Sequence, residues 1–241
     1  MRVPVPLLFA LLLAPLLSGA DAPGGAGRPK EGRKGAPGKG SAVVKPTLRD
    51  TLRANVYADN WFMLYVNGRL VAVDSIDFLP HNVVSVDLLP EYPMTIAVLA
   101  KDNADPRTGR EYGTSIGDGG FILKFSDGTV TDASWKAKCF FRGPLTGPDG
   151  RDRVEHTPLP PDWFAPGFDD SSWAAAVEYT EERVNPKEAF RTADFAGARF
   201  IWTADLDLDN TVIFRRRIER PDWKARWTTR PDLDVSGAPA R

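Results

Sequence analysis

Two short runs of the chain concentrate the residue types that sugar recognition needs. Tyr57, Asp59, Asn60 and Trp61 form the first, and Lys101, Asp102, Asn103, Arg110 and Tyr112 fall in the second. An aromatic ring offers its face to sugar C–H bonds, while carboxylates, amides and guanidinium forks beside it take the hydroxyls. The candidate ligand contacts are therefore Asp59, Asn60, Trp61, Asp102, Asn103, Arg110 and Tyr112. The polar, glycine-rich stretch 101–120 is the expected recognition loop, with a merely solvated loop as its competitor.

Catalytic chemistry finds less to build on, and no catalytic residue is assigned. A hydrolase of the serine or cysteine type needs a nucleophile, a base and a group that orients the base. His81 and His156, the two histidines, belong to no recognisable arrangement of that kind and read as loop residues. Two histidines and one cysteine, widely scattered, do not make a zinc site. Glycosidases need only a carboxylate pair, but with 32 acidic residues some pair always exists, so the count decides nothing. The run Asp205-Leu206-Asp207-Leu208-Asp209-Asn210 fails as an EF-hand, because Asn210 stands at the turn glycine and Arg216 at the bidentate glutamate. No cofactor is expected, with a looser calcium site in a loop left open.

Cys139 is the only cysteine, so no intramolecular disulfide forms, and its apolar neighbours Trp135, Phe140 and Phe141 mark it as a small core residue. Arg215-Arg216-Arg217 cannot form one patch on a strand, since Arg216 faces opposite to its neighbours. They read as paired and snorkelling arginines at a sheet edge. A formal net charge of −1 gives no field that would attract nucleic acid or an anionic membrane.

These residues must be positioned by strands. Phe62, Leu64 and Val66 alternate with Trp61, Met63 and Tyr65, and Asn67-Gly68 follows as a tight hairpin turn leading to Leu70–Val73. Period-two stretches recur at 83–88, 95–100 and 121–125, and short apolar segments at Ile201-Trp202 and Val212–Phe214 complete about seven strands. Turn residues separate them, which is the pattern of a sandwich or jelly roll. Asn185-Pro186-Lys187-Glu188 has the form of a helix start, predicting a short helix over 189–192. Hydrophobic residues at 42% suffice for a real core.

The ends read differently. Arg2, the apolar run Leu7–Leu17 and Ser18-Gly19-Ala20 have the layout of a secretory signal peptide over 1–20, too short to span a bilayer of ~30 Å. Residues 21–47 are Gly/Pro/Ala-rich and basic, as a flexible linker is. The domain is expected over 48–220, with an irregular tail at 221–241 whose Trp223 and Trp227 lie back on the sandwich.

Several pieces together resemble the galactose-binding-domain-like β-sandwiches that accompany α-L-rhamnosidases and glycoside hydrolase family two enzymes. The stretch Asp59-Asn60-Trp61-Phe62-Met63-Leu64-Tyr65-Val66-Asn67-Gly68 is similar to their hairpin. Gly119-Gly120-Phe121-Ile122-Leu123, Asp127-Gly128 and Thr131–Lys136 match a second segment, and Phe168-Asp169-Asp170-Ser171-Ser172-Trp173 a third. Ile201-Trp202-Thr203 with Val212–Arg216 matches the closing one, so the resemblance covers about residues 50 to 220. It implies an all-β jelly-roll sandwich with at most one or two short helices, a module that often binds sugars and carries no catalysis of its own.

The expectation is an exported, non-catalytic module for carbohydrate or cell-surface glycan, secreted or periplasmic, with no nucleic-acid partner and no membrane span once the signal is cleaved. The alternative is a structural or protein-interaction module of the envelope that lacks a sugar site.

Overall fold

A computed structural model describes residues 43–75 and 82–229; the expected signal peptide, nearly all of the expected linker, His81 and the last twelve residues lie outside the described residues. The strands are β1 (Leu52–Asp59), β2 (Trp61–Val66), β3 (Arg69–Val73), β4 (Val84–Leu88), β5 (Met94–Lys101), β6 (Gly120–Phe125), β7 (Lys136–Thr146), β8 (Asp152–His156), β9 (Ala174–Ala175), β10 (Val177–Tyr179), β11 (Phe200–Trp202) and β12 (Asp209–Ile218). One sheet has the order β10-β11-β6-β1-β4, the other β3-β2-β5-β12-β7-β8, with β9 added to β7, and all paired strands are antiparallel. The fold is an all-β sandwich. Among the described residues helix is confined to one turn, α1 (Glu181–Val184), and to 3₁₀ turns at Leu48–Asp50 and Glu188–Thr192. The helix expected over 189–192 is thus a 3₁₀ turn, and it starts at Glu188 after the N-cap Lys187, two residues beyond Pro186.

The alternation in β2 decides which sheet face each side chain meets. Phe62 and Leu64 are fully buried between the sheets with Val56, Val98, Phe121, Leu123, Trp202 and Phe214. At the end of this strand Asn67 and Gly68 both take positive φ, 49° and 78°, as the tight hairpin requires.

The outer faces are covered too. Trp61, Met63 and Tyr65 pack on Trp163, Phe164, Phe168 and Trp173, supplied by the segment between β8 and β9. On the other sheet Tyr57 and Ile122 are covered by Val184, Phe195 and Phe200, with Phe190 beside them. β5 is apolar on both faces for this reason, buried at every position from Met94 to Ala100.

Arg215 fastens the cover over the larger sheet. Its Nε donates to Asp170 at 2.7 Å, one Nη to the Trp163 carbonyl and the other to the Ala165 carbonyl at 3.0 Å. Its guanidinium lies over the Phe168 ring. The expected arginine edge is thus corrected: β12 lies inside its sheet, between β5 and β7, and Arg215 is only 2% exposed. Arg216 donates to the Ser134 carbonyl and Arg217 to Glu219, so the three do separate by face. In the Phe168–Trp173 turn Asp169 accepts from the Ser171 N–H, while Trp173 is buried against Phe140 and Phe168. Trp223 packs edge-on against Tyr92 at 5.2 Å.

Candidate functional site

One end of the sandwich gathers most of the residues that the sequence singles out. β1 ends at Asp59, β2 begins at Trp61, β5 ends at Lys101 and β12 begins at Asp209, and their pairing brings these ends side by side. The Asn60 N–H donates to the Lys101 carbonyl and the Asp102 N–H to the Asn210 carbonyl, both at 2.8 Å. The Asn103 N–H donates to Asn60 Oδ1 (2.6 Å) and Asp102 Oδ1 (2.7 Å), and Asn60 Nδ2 donates to Asp59 Oδ1 (2.8 Å). Asp59, Asn60, Asp102 and Asn103 are therefore one network.

The network lies inside. Asp59, Asn60 and Asp102 are each buried to within 2% exposure. Tyr57, the aromatic of the first sugar-recognising run, is in β1 and fully buried, its hydroxyl accepting from the Lys187 N–H. Trp61 is partly buried in the outer aromatic cluster and donates its indole N–H to the Asp74 carbonyl. Arg110 and Tyr112 remain on the surface side.

Residues 102–119 form a well-organised loop. Asp105 accepts from the N–H groups of Arg107 and Thr108, and the Gly109 N–H returns to the Asp105 carbonyl. Glu111 and Ser115 then exchange backbone bonds, closing a small hairpin whose tip is Tyr112-Gly113. Arg110 clamps this hairpin to β8, with Nε 2.5 Å from Asp152 and an Nη donating to the Thr114 carbonyl at 2.9 Å. At the tip Tyr112 has φ 49° and is 70% exposed. A left-handed aromatic residue carries a conformational cost and persists only where its surroundings impose it.

Beside Tyr112 runs a groove of about 690 Å³ lined by Lys101, Asn103, Asp105, Arg107 and Arg110. It adjoins a smaller, more apolar cavity of about 350 Å³ walled by Phe140, Phe141, His156 and Leu159, and the two share Lys101, Ala104 and Pro106.

Four carboxylates stand behind the loop. Oxygens of Asp102, Glu111 and Asp118 lie within 4.8 Å of one another. Among the described residues no Lys or Arg pairs with these three or with Asp59; Lys187 acts on Asp59 and Glu111 only through its field. Burial, then the charge of Asp118, pushes the Asp59 carboxyl up to about 8. Burial, then Glu111 and Asp118, does the same to Asp102, also to about 8, and Glu111 is raised as well. The Asp205–Asp209 run, the more conspicuous acidic stretch, is spent differently: Arg142 pairs with Asp205 and Asp209, and Arg183 with Asp207.

Raised carboxyls in close pairs are also a glycosidase signature, but the geometry here does not suit that chemistry. A glycosidase pair flanks the scissile bond with the sugar between. Asp102 and Glu111 instead lie against each other, both buried. Gly113-Thr114-Ser115-Ile116-Gly117 has the letters of a nucleophile elbow, yet Ser115 sits on the return arm of a surface hairpin, not on a strand-to-helix turn. Among the described residues the one histidine, His156, is an exposed residue of β8. Cys139 is partly buried, its thiol 3.2 Å from the Phe141 carbonyl, and burial pushes it up to about 12. In the folded protein it should resist iodoacetamide at pH 8, and in urea react at the rate of a free thiol. Equal rates in both states would contradict that placement.

No protein-family model, curated protein or solved structure matches the chain. Among the described residues no helix is long and apolar enough to cross a membrane.

Proposed function

We propose that this is an exported, non-catalytic β-sandwich module that binds carbohydrate along the groove beside Tyr112. The observation that carries the reading is the exposed tyrosine held at positive φ on the tip of a clamped hairpin. Its ring is free to stack on a sugar face, while the Asn103 amide and the Arg107 guanidinium, whose side chain is 88% exposed, line the same groove. Rigidity favours this use, because a preformed loop loses little entropy on binding. The galactose-binding-like resemblance points the same way, and the signal-like segment at 1–20 supports export. The buried Asp59, Asn60 and Asp102 serve the site by holding the loop from behind.

Electrophoresis through gels containing a panel of soluble polysaccharides tests the reading. The protein is expected to be retarded by at least one of them. Tyr112→Ala should abolish that retardation and shift stability by no more than about 0.5 kcal/mol, as exposed substitutions do. Retardation that survives Tyr112→Ala would place binding elsewhere.

A further inference from the structure

The four carboxylates at the end of the sandwich are an unusual construction. They converge from four parts of the chain: the end of β1 (Asp59), the residue after β5 (Asp102), the loop hairpin (Glu111) and the approach to β6 (Asp118). A fifth group joins them. Asn210 is 1% exposed, and its Nδ2 donates to the carbonyls of Gly143 (2.6 Å) and Leu208 (3.1 Å). Those two bonds fix the orientation of the amide, so Oδ1 is the atom turned inward, and it has no donor. Asp102 Oδ2 and Asp59 Oδ2 likewise have none.

Gly117 shows where two of these oxygens point. A Cβ there would stand 1.8 Å from Asp102 Oδ2 and 2.9 Å from Asn210 Oδ1. Both oxygens thus face one small space, kept open by the absence of a side chain. Glu111 lies against Asp102, and once both are ionised they are acceptors only and cannot satisfy each other. Buried acceptors without donors are costly, and several negative charges in one dry site more so. A cation removes both costs together.

We propose that Asp102, Glu111, Asp118 and Asn210 bind a calcium ion behind the recognition loop, with Asp59 as a further carboxylate beside Asp118. The donor set is all oxygen, which selects a hard cation and excludes zinc or copper as the preferred guest. Calcium takes oxygens at about 2.3–2.6 Å, so opposite ligands stand up to about 5 Å apart, in keeping with the spacing here. Ligands drawn from irregular loops suit calcium's tolerant geometry better than the strict octahedron of magnesium. Glu111 and Tyr112 are adjacent, one buried and one exposed, so capture of the ion pins the hairpin that presents the tyrosine. The ion site stands independently of what Tyr112 binds.

The test is calorimetric titration of the chelator-stripped full chain with calcium chloride, paired with hydrogen exchange. The expected result is one ion bound per chain, a higher melting midpoint, and slowed exchange over residues 102–119. Asp102→Asn, nearly isosteric, and Asn210→Leu should each weaken calcium binding at least about tenfold. Asp102→Asn should also leave the ion-free protein no less stable, since a neutral amide replaces a carboxyl whose ionised form the site disfavours, which guards against a folding artefact. Magnesium at equal concentration should not displace calcium. Absence of both heat and melting shift at millimolar calcium would overturn the proposal. So would calcium affinity unchanged in both variants, protection outside 102–119 only, or preference for magnesium.

Discussion

Arg215→Ala is expected to destabilise the protein by about 3–5 kcal/mol, the range for breaking a buried charge pair by removing one partner. The side chain is enclosed by the outer aromatic layer and satisfies three acceptors at once: Asp170 and the carbonyls of Trp163 and Ala165. Its loss leaves the Trp163 carbonyl without its arginine donor and the Ala165 carbonyl with the Phe168 N–H alone, and frees the 159–173 cover from the strand that holds it. Lysine should rescue little, because one ammonium cannot reproduce a fork that spans three acceptors. Arg217→Ala is the control: its guanidinium is exposed and pairs only with Glu219, so the change should stay within about 0.5 kcal/mol. Urea denaturation monitored by tryptophan fluorescence reads both. A loss below about 1 kcal/mol for Arg215→Ala would mean that the cover is held by apolar packing alone.

In chelator, stability should fall as pH rises from 5 to 8, contrary to the usual behaviour of carboxylate-rich domains. Asp59 and Asp102 are each raised to about 8 in the fold, while in the unfolded chain they titrate near the ordinary value of 3.8. Below that value both states hold the proton and the contribution is complete. As pH climbs, the unfolded chain releases protons that the folded chain keeps, so the contribution drains away through the window up to about 8. The paired carboxylates Asp87, Asp152 and Asp194 act in the opposite sense, but their folded values are lowered, so their effect is lost only as pH falls below the ordinary range. The two windows do not overlap. Calcium must displace the retained protons, so its stabilisation should be larger at pH 8 than at pH 5. Urea midpoints at pH 5, 6.5 and 8 measure the slope; Asp59→Asn with Asp102→Asn should flatten it. A chelated protein that grows more stable over this range would contradict the burial of these groups.

The strands most legible in the sequence are those whose two faces differ in chemistry. Trp61–Val66 alternates cleanly and ends in Asn67-Gly68, so both the strand and its turn could be read directly. β7 escaped because its apolar positions are interrupted by Lys136, Lys138, Arg142 and Gly143-Pro144, and its ladder to β8 shifts register between Arg142 and Leu145. β8, with Arg153 and Glu155 exposed, carries no apolar face to announce it. β1 shows the limit of spacing in another way: Tyr57 looked like a loop aromatic beside Asp59 and Asn60, but its ring belongs to the covered outer face.

The site divides in the same manner. Asn103, Arg110 and Tyr112 were legible because one loop carries them all. The acid cluster was not, since Asp102 and Asn210 are far apart in the chain and meet only through the pairing of β5 with β12. Attention goes naturally to Asp205–Asp209, where carboxylates are adjacent, and arginines have neutralised that run. The usable signal was the glycine spacing around Asp118: Gly117, Gly119 and Gly120 are all buried, and a Cβ at Gly119 or Gly120 would strike Trp202 or Val184. A loop packed that closely against the sandwich brings its acids inside with it.

The most direct test of carbohydrate recognition at the Tyr112 groove is a glycan array probed with the full chain in calcium buffer, beside Tyr112→Ala at equal concentration. A restricted set of related glycans is expected to be bound by the wild type and lost from the variant, with both proteins giving the same melting midpoint. A folded wild-type protein that binds no glycan, or a variant that keeps the wild-type pattern, would contradict it.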